Sequence, residues 1–192
     1  MRVLLVSEGK HEESGALESL VLRTATKIQA CEFAKVSRDD IHTHRGKGQG
    51  FTKRALRWLL EARKRNFDAL VLVVDEDGCS ERIRELTEAQ NHQLVAANFP
   101  RALGIAIRSF DAWMLADEKA LSVVLGCVVP TQSSPEEQRD PKSRCSALLA
   151  DRSSPFSQSG FYARVAEVVD LEQLMNGCPK GFGVFAARLK SL

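Results

Sequence analysis

Five carboxylates carry the chemistry this sequence can do: Glu8 and Glu12, four residues apart, Asp75 and Asp77, two apart, and Asp111. Each stands near the end of an apolar run that reads as a β-strand. Glu8 lies two residues beyond Arg2–Val6, Asp75 and Asp77 directly follow Ala69–Val74, and Asp111 comes shortly after Leu103–Ile107. In an extended chain residues i and i+2 project to the same side, so Asp75 and Asp77 would present paired carboxylates. Glu12, from the first turn of a helix, can reach back towards Glu8. Carboxylates crowded at one edge repel and shift one another's pKa values. A hard divalent cation resolves that conflict. Mg²⁺ prefers octahedral oxygen ligands, keeps several waters and uses one or two carboxylates plus substrate phosphate, and Mn²⁺ suits the same donors. A plainer reading stands beside each residue. Glu8, Glu12 and Asp111 suit the first turn of a helix, where the dipole favours negative charge, and Asp75-Glu76-Asp77-Gly78 suits an ordinary turn.

The charge distribution suggests a partner. With 27 basic and 25 acidic residues the net charge is only +2, yet nine basic residues face three acidic ones between Arg38 and Arg65. His42–Gly50, with three glycines and no apolar residue, reads as a loop. Phe51–Arg65 reads as an amphipathic helix, with Phe51, Ala55, Trp58, Leu59 and Ala62 on one face and Lys53, Arg57 and Lys64 opposite. Together with Arg45 and Lys47 of the loop, these cations form a footprint for a phosphate backbone; the alternative is a solvated helix face. His42 and His44 lack a third metal partner, and Gly46–Gly50 lacks the spacing of a Walker loop. Arg108, beside the fourth strand's end, reads as a salt-bridge partner for a nearby carboxylate or as a phosphate contact.

Alternating apolar runs and helical patterns must position these groups. Leu17, Leu20, Val21 and Ala25 predict a helix over Glu12–Ile28, Cys31–Val36 a strand, and Glu81–Ala97 a polar helix. Ser109 is placed to cap a helix over Phe110–Asp117, and Trp58 and Trp113 read as core. The alternation predicts an α/β, Rossmann-like parallel sheet of about four strands with helices on both faces, ligands binding beyond the strands' carboxyl ends. Pro130–Gly160 holds four of the six prolines and reads as loop-rich, with a short helix at Ser146–Ala150. Helices over Tyr162–Val169 and Val184–Leu189 follow. The expected organisation is an α/β core over 1–127, with a loop-rich insertion and C-terminal helices over 128–192 packing on it. With 44% hydrophobic and 27% charged residues the chain can bury a core. Its apolar runs are too short to span a bilayer, and its start lacks a signal peptide's apolar region. Five scattered cysteines without a C-x-x-C pair indicate neither a disulfide framework nor a zinc knuckle. A cytoplasmic protein without membrane contact is expected.

Val6-Ser7-Glu8-Gly9 followed by Glu12, then Leu70–Val74 leading into Asp75-Glu76-Asp77, resembles the Toprim (topoisomerase–primase) domain. The nearest likeness is to small bacterial Toprim-like proteins of unknown function and to the nuclease domain of the overcoming-lysogenization-defect proteins. Phe110–Asp117 resembles the acidic-A-W-L-L-A-D block of the small proteins, and Cys178-Pro179 echoes their C-terminal Cys-Pro. Ser7 stands where the family usually has valine. The resemblance implies Glu8 as general acid/base, Asp75 and Asp77 as Mg²⁺ ligands, and Glu12 and Asp111 as further metal-site residues. It implies phosphodiester chemistry on nucleic acid, DNA ahead of RNA, with an ATPase partner in anti-phage defence. No topoisomerase-type tyrosine is present, since Tyr162 lies outside the resemblance, and this favours a nuclease over strand passage. Two other readings stay open: a haloacid-dehalogenase-like phosphatase phosphorylated on Asp75, and a non-catalytic Toprim-like partner subunit. The sequence leaves a homo-oligomer open.

Overall fold

Strands β1 (Arg2–Ser7), β2 (Ala30–Phe33), β3 (Ala69–Asp75) and β4 (Arg101–Ala106) form one sheet in the order β2-β1-β3-β4, every pair parallel. The structure is a computed structural model that describes residues 1–9, 14–33, 50–93, 99–150 and 156–192. Alternate residues of each strand feed two apolar layers, because successive side chains point to opposite faces. Leu4, Val6, Leu70, Leu72, Val74, Leu103 and Ile105 pack with Ala55, Trp58 and Leu59 of α2 (Gly50–Lys64) and with Leu86 and Ala89 of α3 (Glu81–Asn91). Val3, Leu5, Val71, Val73, Ala102 and Ala106 face the other way, against α1 (Ala16–Thr24) and the C-terminal helices. These are α4 (Asp111–Met114), α5 (Glu118–Leu125), α6 (Pro141–Ala150), α7 (Gln158–Val168), α8 (Leu171–Gly177) and α9 (Val184–Lys190). The α/β, Rossmann-like parallel sheet with helices on both faces is therefore the architecture found. Trp58 and Trp113 are core residues, 5% and 0% exposed. Among the described residues no helix is long and apolar enough to cross a membrane.

The helix following β1 packs on one face and the helix following β3 on the other. Between these adjacent strands the connections part, which opens a crevice at the carboxyl edge.

Several boundaries differ from the expected ones for identifiable reasons. α1 begins at Ala16, directly after Gly15, whose left-handed φ of 103° lies outside the helical region. Ten residues of the expected loop-rich region form α6, which starts before Ser146. Asp140 accepts the Ser143 N–H at 2.9 Å, and Pro141 occupies the first turn, where its missing N–H is harmless. α7 starts before Tyr162 because Ser157 caps it through the Gly160 N–H. α8, capped by Asp170, was not apparent in the sequence.

Candidate active site

Glu8 and Asp77 meet at the carboxyl edge where β1 and β3 are neighbours. A single nitrogen joins them. Arg82, in the first turn of α3, donates through Nη1 to Asp77 Oδ2 at 2.8 Å, to Glu8 Oε2 at 3.5 Å and to the main-chain oxygen of Asp75 at 2.5 Å. Arg54 Nη1 donates to the other oxygen of Glu8 at 3.3 Å. Both guanidinium groups lie over the ring of Phe51, 4.9 Å for Arg54 and 4.6 Å for Arg82, in cation–π contact. Phe51 is in turn held by Glu85, a buried residue of α3. Glu85 Oε2 accepts the Phe51 N–H at 2.9 Å, and its main-chain oxygen accepts the Thr52 hydroxyl at 3.0 Å. A carboxylate from one helix thus satisfies the opening turn of another and fixes the platform under both arginines.

The Asp75/Asp77 pair does not act as two side chains on one side. The chain leaves the extended conformation after β3, and Asp77 takes a left-handed φ of 50°. Asp77 faces Arg82. Asp75 Oδ1 instead accepts the Phe110 N–H at 2.8 Å. That contact replaces the cap expected from Ser109, whose hydroxyl is buried with no partner among the described residues. Glu76 Oε2 accepts the Arg108 N–H at 3.1 Å, while Arg108 itself makes no ion pair among the described residues, contrary to the salt-bridge expectation.

Asp111 belongs to a different network. It is 7% exposed, and its Oδ1 accepts from the Tyr162 hydroxyl and from Gln158 Nε2. Burial, with Cys145 and Asp111 beside it, pushes the Tyr162 hydroxyl far above its ordinary value, and burial pushes the Cys145 thiol up to about 12. This is the joint between α4 and α7. Asp117 caps α5 by accepting the Lys119 and Ala120 N–H groups at 2.9 and 3.1 Å. The acidic-A-W block therefore packs and caps.

On α2, Lys53 and Arg57 are exposed on the outer face, as the sequence pattern predicts. Lys64 lies in the last turn, about 15 Å along the helix axis from Arg54, and so is not brought to the acidic edge. Glu12, Arg45, Lys47, His42 and His44 lie outside the described residues. Sequence reasoning missed Arg54 and Arg82. The available signal was an arginine five residues beyond Asp77, at the start of the helix leaving that strand. Among the described residues no group of three or more His, Cys, Asp or Glu side chains is arranged to hold a metal ion. The converging oxygens are two carboxylates and a main-chain carbonyl.

A family model described as a domain of unknown function, DUF4276, matches residues 8–190. The chain belongs to the DUF4276 family. No curated protein and no solved structure matches it. The DUF4276 match begins at Glu8, directly after β1, and spans the arginine-bridged edge, the other three strands and the C-terminal helices.

Proposed function

We propose that the chain is a cytoplasmic, metal-dependent nuclease of the Toprim kind, hydrolysing phosphodiester bonds of nucleic acid, DNA ahead of RNA, alongside an ATPase partner. What supports this reading is the convergence of Glu8 Oε2, Asp77 Oδ2 and the main-chain oxygen of Asp75 on one positively charged nitrogen in the crevice between β1 and β3. Three oxygens arranged about a cation are a donor set that a hard divalent ion accepts. Asp75 and Asp77 would hold Mg²⁺, which when bound stabilises charge developing on a phosphodiester.

Glu8 moves a proton to or from the attacking water or the leaving oxygen. Its side chain is 26% exposed, open enough to exchange that proton with solvent. Arg54 orients the Glu8 carboxylate, and Lys53 and Arg57, with Arg45 and Lys47, carry the phosphate backbone.

The test is cleavage of labelled DNA and RNA by wild type, Glu8→Gln and Asp77→Asn across Mg²⁺ and Mn²⁺ concentrations. Glu8→Gln should weaken metal binding, since it neutralises one of the converging oxygens, and should still lose ~10²–10⁴ in rate at saturating metal. Asp77→Asn should weaken metal binding, with excess Mn²⁺ restoring part of the cleavage. Wild-type rates in both variants would make the acidic edge structural and end this reading.

A further inference from the structure

Beside Asp77, beyond the end of β4, a cleft of about 360 Å³ opens between the β4–α4 turn and the start of α6. Arg108, Arg139 and Lys142 line it, with Asp77 and Asp140 as the only carboxylates on its wall among the described residues. Both carboxylates are already engaged. Asp77 is bonded to Arg82 at 2.8 Å. Asp140 accepts from the Ser143 hydroxyl at 2.6 Å and the Ser143 N–H at 2.9 Å, contacts that hold its carboxyl below the ordinary value. Among the described residues none of the three cations has an ion-pair partner. Asp140, attracted to Lys142, offsets one of the three positive charges, and the cleft keeps a net positive charge.

Two further features point to an anion. Ser109 is among the residues that line the cleft, and its hydroxyl is buried without a partner among the described residues. A hydroxyl withdrawn from water is normally hydrogen-bonded, and here it has a proton to donate. Arg108 has a left-handed φ of 65°, unusual for a residue with a Cβ. It is kept there from both sides: its N–H donates to Glu76 Oε2 and its carbonyl accepts the Asp77 N–H, each at 3.1 Å. Such conformations persist where surrounding contacts over-determine them, and they cluster at ligand clamps. The guanidinium fork it supplies matches phosphate oxygens.

We infer that this cleft is a phosphate subsite, in which Arg108, Arg139 and Lys142 take a backbone phosphate next to the one held at Glu8 and Asp77. That the phosphate belongs to nucleic acid rests on the nuclease reading; the affinity for phosphate does not. The subsite lies across Asp77 from α2, so the strand runs over the acidic edge with cations on both sides of it.

The experiment measures binding of a fluorescent DNA oligonucleotide in EDTA, where no cleavage intervenes, as a function of salt. Wild type is compared with Arg139→Ala/Lys142→Ala, both exposed positions, and with Arg108→Ala, each checked for folding by circular dichroism. Each lost phosphate contact should lower the logarithmic salt slope by about one and weaken binding at every sequence alike. A parallel titration with inorganic phosphate, against chloride, should give saturable shifts of the Arg108 and Ser109 amide signals that the double variant loses. An unchanged slope in the folded double variant would overturn the nucleic-acid subsite even if inorganic phosphate still bound. A reduced slope in a protein whose Glu8→Gln and Asp77→Asn variants cleave like wild type would uphold the subsite and reject the nuclease.

Discussion

Arg82 and a divalent cation would use the same oxygens. Its Nη1 lies within 3.5 Å of oxygens from Glu8, Asp75 and Asp77, and so relieves the repulsion that crowded carboxylates otherwise suffer. A unit charge and a divalent ion 4 Å apart repel by about 8 kcal/mol at an effective dielectric of about 20, so arginine and metal compete. Arg82→Gln should therefore tighten Mn²⁺ binding about tenfold or more, a change of about 1.4 kcal/mol or more. Without metal the same variant should lose no more than about 1 kcal/mol of stability, the worth of partly exposed ion pairs. Titration calorimetry and chemical denaturation measure the two effects, and Mn²⁺ affinity that stays level or falls would make Arg82 a fixed member of the site. At this scale the sequence was legible in part. Glu8 and Asp77 follow strands, and strand ends announce themselves by where the apolar run stops. Arg82 sits in a polar helix among other charges, and only the fold tells which charge turns inwards. Asp111 was the least legible, because a carboxylate opening a helix looks the same in sequence whether it faces solvent, a metal or, as Asp111 does, a buried tyrosine.

β4 carries its own constraint at Gly104. A Cβ there would lie 2.6 Å from Cδ2 of Phe185, on the face where α9 docks against the sheet. Phe185 stacks on Trp113 at 5.6 Å and 20°, and meets Phe182 edge-on at 6.3 Å. The ring has little room to retreat. Gly104→Ala should cost about 1–3 kcal/mol by overpacking, and Phe185→Ala in the same chain should absorb most of that penalty. A double-mutant cycle in urea reads the coupling; additive losses would mean the strand, not the ring, resists the methyl. Elements were legible wherever periodicity alone decides. β1, β3 and β4 are apolar runs covered on both faces, and α2 is amphipathic over its whole length. The helices of 128–192 were harder, because prolines and serines there resemble a loop while several of them begin helices. Pro141 opens α6 and Ser157 caps α7. Composition hides what position reveals.

Residues from the C-terminal third complete one of the two sheet layers, and Glu136 ties that third together. It lies between α5 and α6, is 5% exposed, and accepts the N–H groups of Lys180 and Gly181 at 3.0 and 2.6 Å, from the turn that leads into α9. Burial pushes its carboxyl above the ordinary value, and the two N–H bonds offset only part of that rise. The sign follows from proton counting. Between the ordinary value and the raised one, the folded chain holds a proton that the unfolded chain has released, so folding loses free energy as pH rises through that interval. Below the ordinary carboxyl range the contribution is complete, and above the raised value it is gone. Glu136→Gln keeps the shape without a titrating group. It sets an amide N–H₂ against one of the two N–H donors, which adds an offset that does not change with pH. The unfolding free energy of wild type minus that of Glu136→Gln should therefore fall as pH rises from the ordinary carboxyl range to the raised value, whatever its value at the start. Denaturant unfolding of both proteins at matched pH values tests this. A level difference would mean that Glu136 releases its proton as readily in the folded protein as in the unfolded chain, and that burial does not govern it.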